Sequence, residues 1–305
     1  MSHASDGPWP SPQRLYSLFD ATRRGEQLAQ ALAIPHGQSS WRRFPDGESY
    51  VRIHDDCAGL AVAIYVQLDR PDAKLPGLLF AAAQLRQMGA TQVGLVAPYL
   101  PYLRHDQRFQ PGEALSSKIV AGWLEQHFDW LLTVDPHLHR YNTLADLYSI
   151  PARALSAAPL QAEWLRQHCP APLLIGPDAE SEQWVKPLAE ALAAPYCVLH
   201  KRRAGDRQVQ ITQADGSVML TLPPERTPIL VDDILSTGET LRQAAACLPQ
   251  APLCLVTHAI FADDAAGQSD LTLAGAVSRV VSCDSVAHAS NAIALTDLLA
   301  ATLAA

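Results

Sequence analysis

Ile229-Leu-Val-Asp-Asp-Ile-Leu-Ser-Thr-Gly-Glu-Thr240 is the stretch whose reading decides the fold. Ile229 to Val231 read as a buried parallel strand that runs into two carboxylates, Asp232 and Asp233. A short loop of small residues follows, Ser236, Thr237, Gly238 and Thr240, with Glu239 inside it, and then a helix begins. Small residues let backbone N–H groups point at an anion, and a helix start adds partial positive charge. The two acids stand just ahead of this cradle, placed to meet the hydroxyls of a sugar whose phosphate lies in the loop. An ordinary strand–turn–helix would also use Ser and Thr as caps. Adjacent acids on a buried strand are what tip the reading toward a ligand, since such groups are rarely buried without a partner.

Outward from that segment, apolar strands alternate with amphipathic helices nearly throughout. Strands are expected at Leu60–Val66, Gln92–Ala97, Leu131–Val134, Pro172–Ile175, Cys197–Leu199, Ile229–Val231, Leu253–His258 and Val280–Ser282. Helical patterns lie at Leu78–Met88, Leu115–His127, Ser181–Ala193, Thr240–Cys247 and Asn291–Ala304. Val209–Thr212 and Val218–Leu222 read as a hairpin joined by Gln213-Ala-Asp-Gly-Ser217. This alternation predicts an α/β protein with mainly parallel sheets flanked by helices, and sites beyond the carboxyl ends of the strands. Pro151 and Pro159 flank an Ala/Ser stretch that marks a boundary near 150–159. The expected division is a loose tail over 1–12, a first domain over 13–152 and a second over 153–290, with a closing helix over 291–305 packing back on the first.

Length and composition agree. The 305 residues suffice for two domains of ordinary size, and 48% hydrophobic with 18% charged residues fits a globular protein. A formal net charge of −8 argues against a nucleic-acid-binding surface. The six cysteines (57, 169, 197, 247, 254 and 283) include no C-x-x-C pair and read as buried reduced thiols of a cytoplasmic protein. No apolar run reaches membrane-spanning length, and Met1–Pro12, polar with three prolines, lacks the apolar core of a signal peptide.

Five further segments carry candidate chemistry. In Arg42-Arg-Phe-Pro-Asp-Gly-Glu-Ser-Tyr-Val-Arg52 a turn displays Phe44, Asp46, Gly47 and Glu48, a ring that could stack on a base beside acids that could accept from its amine. Pro98-Tyr-Leu-Pro-Tyr-Leu-Arg-His-Asp-Gln-Arg108 puts Arg104, His105, Asp106 and Arg108 at a strand's carboxyl end, a polyphosphate grip in which Arg104 is suited to bidentate contact. Leu131-Leu-Thr-Val-Asp-Pro-His-Leu-His139 ends another strand, and His137 and His139 face one side if the chain stays extended. Asp178, in Ile175-Gly-Pro-Asp-Ala-Glu-Ser-Glu-Gln-Trp184, follows a strand and precedes a helix capped by Ser181, a position from which a carboxylate could steer magnesium. His200-Lys-Arg-Arg-Ala-Gly-Asp-Arg207 holds four cations from Lys201 onward, ahead of the hairpin, as a mobile arm over a phosphorylated substrate would. Each of these also has a plainer reading as a solvated loop or turn.

The segment 229–240 resembles the PRPP-binding loop of the type I phosphoribosyltransferase fold. The order and spacing of all the segments together resemble the ribose-phosphate diphosphokinase (PRPP synthetase) family over roughly residues 14 to 300. That resemblance implies two phosphoribosyltransferase-like domains, the first binding nucleotide and the second ribose 5-phosphate. It implies transfer of a diphosphoryl group from ATP to the 1-hydroxyl of ribose 5-phosphate, giving PRPP and AMP, with Mg2+ as cofactor. By position, Phe44, Asp46, Gly47 and Glu48 match the family's adenine turn, which there reaches a neighbouring subunit and so implies a dimer-based homo-oligomer, up to a hexamer. Arg104, His105 (in place of a glutamine) and Asp106 match its ATP segment, and His137 and Asp178 its magnesium-associated residues. Lys201 and Arg203 match its catalytic arm cations, and Asp232, Asp233, Ser236, Thr237, Gly238, Glu239 and Thr240 its ribose-5-phosphate site. A non-catalytic regulatory subunit and a phosphoribosyltransferase that consumes PRPP are the alternatives; the first should lack the arm or metal residues, and the second should lack the Phe44 turn. Departures from the family pattern are Ala179-Glu-Ser-Glu-Gln-Trp-Val185, Ser236 and Glu239, whose carboxylate would repel a bound phosphate unless it meets a cation.

Overall fold

The computed structural model describes residues 9–201, 209–213, 218–219, 222–261 and 272–304. The chain divides into two compact units. One takes the chain up to Leu155 together with Ser285–Ala287 and the stretch from Leu295 on; the other takes Ser156–Asp284 and His288–Ala294.

In the first unit the chain forms β1 (Arg14–Leu18), α1 (Arg24–Ala31), β2 (Ser39–Arg43), β3 (Ser49–Ile53), β4 (Ala61–Val66), α2 (Leu75–Gln87), β5 (Gln92–Val96), α3 (Ser116–Glu125), β6 (Trp130–Val134) and β7 (Ala152–Leu155). Five strands build one sheet in the order β1-β4-β5-β6-β7, every pair parallel. Its inner strands are near-continuous apolar runs, as burial on both faces demands. Leu78, Ala81, Ala82 and Leu85 of α2 and Val120, Ala121 and Leu124 of α3 close the core. β2 and β3 stand apart as an antiparallel hairpin.

The second unit contains α4 (Ala158–His168), β8 (Pro172–Gly176), α5 (Glu182–Leu192), β9 (Tyr196–Lys201), β10 (Val209–Gln213), β11 (Val218–Met219), β12 (Thr227–Leu235), α6 (Glu239–Ala245), β13 (Leu253–Ala259), β14 (Arg279–Cys283) and β15 (Asn291–Ile293). Its sheet runs β11-β10-β9-β8-β12-β13-β14-β15. From β9 to β15 it is parallel, and β10 and β11 add antiparallel strands at one edge. After β8 the chain first builds outward to β9, then returns to place β12 on the other side of β8. The strand order therefore reverses between β8 and β12, the switch point where open α/β sheets bind ligands. The last helix, α7 (Thr296–Leu303), belongs to the first unit and packs on α1.

Several expectations need correction. β12 does not end at Val231; it continues through Asp232 and Asp233 to Leu235, because Ile234 and Leu235 still pair with His258 and Ala259 of β13. The pattern over 291–304 is not one helix. Asn291 opens an edge strand, its amide donating to Ser282 Oγ (3.0 Å) and to the Cys283 carbonyl (2.8 Å), and the helix starts only at Thr296. The Ala/Ser stretch after Pro151 is strand β7 and the start of α4, with Pro159 in the helix's first turn, where its missing N–H costs nothing. Trp9, inside the stretch read as a loose tail, is buried, edge-on to Trp130 and capped by the Arg153 guanidinium 4.4 Å from its ring. Of the cysteines, Cys57, Cys197, Cys254 and Cys283 are buried, Cys169 is half-buried and Cys247 is exposed; none is in a disulfide. The linker 213–217 of the predicted hairpin falls outside the described residues apart from Gln213 itself. Among the described residues no helix is long and apolar enough to cross a membrane.

Gly94 of β5 pairs with Trp130 of β6, and a Cβ there would sit 2.0 Å from the indole ring. Such contact is possible only if the ring or strand shifts. Gly94→Ala is expected to destabilise the first unit by about 1–3 kcal/mol, read as a lower urea midpoint with an unchanged m-value; an unaltered midpoint would show the ring free to move.

Candidate active site

In the second unit the predicted carboxylates converge. Asp178 follows β8, and Asp232 and Asp233 lie on the adjacent strand β12, so all three sit at the switch point. Asp233 is only 3% exposed. The Asp232 carboxyl is pushed well above the ordinary carboxylate range, first by burial, then by the negative charges of Asp233 and Asp178. Each acid is tied into the backbone: Asp232 Oδ1 accepts from Asp233 N (3.0 Å) and Asp233 Oδ1 from Ile234 N (2.8 Å). Asp178, rather than Ser181, caps the turn after β8. Its Oδ1 accepts from Glu180 N and Ser181 N, both at 3.1 Å, while Ser181 Oγ donates to the Asp178 carbonyl at 2.5 Å. Among the described residues no three His, Cys, Asp or Glu side chains stand close enough together to hold a metal ion by themselves; a hard divalent cation here would take one or two of these carboxylates and complete its shell with phosphate and water.

Beyond β12 the loop Ser236–Gly238 turns into α6. Gly238 adopts φ +71°, and a Cβ there would approach Leu273 Cδ2 to 2.9 Å, so a bulkier residue fits neither the backbone nor the space. Glu239 does not stand as an open negative charge. Its carboxylate accepts from the Arg242 guanidinium (2.9 Å) and the Gln243 amide (2.7 Å), and Arg242 also donates to the Thr237 carbonyl (3.0 Å). The loop thus carries its own counter-charge at the one family departure that threatened anion binding. Arg242 was not singled out from the sequence; its signal is the i,i+3 spacing from Glu239.

In the first unit β5 and β6 are parallel neighbours, so the loops after them lie side by side. Leu100 and Leu103 are buried and anchor the first loop, and the Pro98 carbonyl accepts from Val134 N (3.1 Å). Arg104 is exposed at its crest. The His105 ring lies parallel to Phe109, with Nδ1 3.2 Å from Ser116 Oγ and Nε2 3.8 Å from the Glu113 carboxylate. Glu113 is held below its usual range by the N–H groups of Phe109 and Gln110, with His105 adding to the effect. Asp106 turns inward and faces His139 and Arg140 of the second loop at 3.8 and 3.6 Å. His137 and His139 lie with ring centroids 6.5 Å apart. The backbone pays for this turn: Asp135 has φ +36° directly before Pro136, where an extended conformation is favoured. Such outliers cost about 1–3 kcal/mol and cluster at functional sites.

The Phe44–Glu48 turn caps the β2–β3 hairpin. Gly47 N donates to the Phe44 carbonyl, Phe44 N to the Glu48 carbonyl (both 2.9 Å), and Glu48 N to Asp46 Oδ1 (3.1 Å). The five residues are exposed, and Phe44 is supported from behind by the Arg42 guanidinium, 4.4 Å from its centroid, and by Tyr50 edge-on. A cleft of about 740 Å³ lies beside the turn, lined by Arg43, Glu48, Asp72, Pro76 and Phe80. Of the arm cations, Lys201 closes β9 and Arg203 lies outside the described residues.

Two parallel-sheet units, the second with acids and a small-residue loop at its switch point, define a two-domain protein of the phosphoribosyl-binding class. Residues 14–127 match the N-terminal domain of ribose phosphate pyrophosphokinase, and residues 145–288 match the phosphoribosyl transferase domain. The chain is 31% identical over 278 residues to a ribose-phosphate pyrophosphokinase of Methanothermobacter thermautotrophicus, covering 90% of this chain and 93% of that one. To the ribose-phosphate pyrophosphokinase of Methanopyrus kandleri it is 30% identical over 273 residues, 88% and 90% of the two chains. The fold matches the crystal structure of phosphoribosylpyrophosphate synthetase from Mycobacterium smegmatis with a TM-score of 0.78 at 19% identity, over 95% of this chain and 97% of that one. The chain belongs to the ribose-phosphate pyrophosphokinase family.

The raised Asp232 carboxyl carries a sign. Its favourable contribution to folding is complete below the ordinary value of 3.8 and is lost as pH rises through the elevated one. Asp232→Asn is therefore expected to melt above the parent protein at pH 7, by a few degrees at about 2–4 °C per kcal/mol, with the gap closing toward pH 4. Equal differences at both pH values in calorimetry would mean that the three acids do not crowd one another.

Proposed function

We propose that this protein transfers the β,γ-diphosphoryl group of ATP to the 1-hydroxyl of ribose 5-phosphate, producing PRPP and AMP. The observation that carries the reading is the meeting of Asp232, Asp233 and Asp178 at the switch point beside the Ser236–Thr240 loop. In this reading the loop's backbone N–H groups and the Ser236, Thr237 and Thr240 hydroxyls take the 5-phosphate around Gly238. Asp232 and Asp233 take the ribose hydroxyls and fix the sugar's orientation. Glu239, already neutralised by Arg242, shapes the loop without opposing the anion.

The nucleotide falls to the first unit. Phe44 stacks on the base, Asp46 and Glu48 accept from its amine around Gly47, and Arg104, with His105 and Asp106 beside it, grips the phosphates. The exposed 44–48 turn matches the one that, by the resemblance, reaches the site of a neighbouring subunit, which implies a homo-oligomer built from dimers, and a cytoplasmic setting fits its thiols and substrates. Magnesium-associated roles fall, by the resemblance, to His137 in the first unit and to Asp178 in the second; each could hold a divalent cation together with substrate phosphate oxygens, and such a cation would neutralise charge on the transferring group. Lys201 and Arg203 would add positive charge where negative charge develops on that group and on the leaving AMP oxygen. The protein's part is positioning and charge compensation, with little covalent chemistry.

Purified protein given ATP, magnesium and ribose 5-phosphate should yield AMP and PRPP in equal amounts by mass spectrometry; absence of both refutes the reading. Lys201→Ala should lower turnover about 10²-fold or more, as loss of one preorganised donor does, while ATP still binds. Turnover near that of the parent would remove Lys201 from the chemistry.

A further inference from the structure

We infer that Arg140, facing the buried carboxylate of Asp106 and with His139 beside it, forms a second cationic grip on the nucleotide's polyphosphate, on the loop next to the one that carries Arg104. The inference rests on the nucleotide reading of the first unit. The Asp106 side chain is only 5% exposed. A carboxylate so placed is costly unless cations compensate it. Arg140 does so, with Nε 3.6 Å from Oδ1; His139 Nδ1 lies 3.8 Å from Oδ2, and Oδ2 accepts no hydrogen bond.

The Arg140 side chain is 45% exposed, so its inner edge meets Asp106 while the rest of the fork opens outward. Its terminal amino groups have no partner among the described residues. A guanidinium anchored in this way has lost part of its rotamer freedom in advance, which lowers the cost of binding an anion. His139 stands beside His137, and both loops rise from the carboxyl ends of the paired strands β5 and β6. The protein as a whole carries a formal charge of −8, so a polyphosphate must be met by local positive charge. Arg140 supplies it on the loop after β6, next to the loop after β5 that carries Arg104, at ligand-binding strand ends. Asp106 is then a positioning residue rather than a nucleotide contact.

Titration calorimetry with ATP in the absence of magnesium, alongside steady-state kinetics, tests this. Arg140→Gln should weaken ATP binding and raise the KM for ATP about tenfold, leave the KM for ribose 5-phosphate unchanged, and be partly rescued by Arg140→Lys; His139→Gln should act in the same direction and more weakly. Asp106→Asn gives the sharper contrast. By charge alone, removing an acid beside a phosphate site tightens ATP binding; if Asp106 orients Arg140, binding weakens. Tighter binding in that variant, or unchanged ATP affinity in Arg140→Gln, overturns the inference, with melting curves confirming that each variant is folded. A parent protein that binds ATP but forms no PRPP would refute the proposed reaction and leave the grip to be judged by the binding data. A parent that binds no ATP would refute both.

Discussion

Three carboxylates that feel one another's charge where the strand order reverses set the terms for the second unit. β8 and β12 must lie side by side for Asp178 to reach Asp232, and β12 must remain a strand through Asp233 to carry both of its acids there. Like charges at such a place oppose one another, as the raised Asp232 carboxyl shows. The fold tolerates this through the rest of the sheet: Ile229, Leu230 and Val231 are buried between β8 and β13, and each acid accepts a backbone N–H. What remains is a local excess of negative charge that ribose hydroxyls and a divalent cation would relieve. Binding affinity and ligand-free instability then have the same origin.

The first unit handles charge in the opposite way. Its loops after β5 and β6 are tied to each other by Asp106 and to the core by Leu100 and Leu103. Cations sit on a frame instead of acids crowding a pocket. The uncommon backbone at Asp135 fits this logic, since the turn that brings His137 and His139 outward cannot be made by ordinary extended chain. Phe44 is likewise braced by Arg42 and Tyr50, so its ring is presented rather than left to wander.

Much of this was legible in the sequence wherever chemistry and periodicity coincide locally. The alternation of apolar strands and helices follows from burial on both sheet faces, and the run from Ile229 to Thr240 announces its own turn. Strand order was not legible, because nothing in a linear pattern says that β12 lands between β8 and β13; the meeting of Asp178 with Asp232 is a property of topology alone. β1 and α1 went unmarked because their apolar runs are short, and α4 because Pro159, a first-turn residue there, looks like a breaker. The end of β12 was placed too early because two acids seem to stop a strand, yet pairing with β13 carries them through. Asn291 failed as a helix start because its amide serves an edge strand. The inward turn of Asp106 could not be read from a charge-rich loop, where every side chain looks equally solvated.

The small network at the head of α6 has a bearing on how such a site can change over generations. In the proposed reading, a glutamate at position 239 is tolerated beside an anion because arginine stands one helical turn further on, meets its carboxylate and also fastens the Thr237 carbonyl. Exchange of the arginine alone would leave a bare carboxylate against the ligand, whereas exchange of the glutamate alone would leave a cation that an anion welcomes. The dependence thus runs one way: a lineage can shed the glutamate first, but not the arginine.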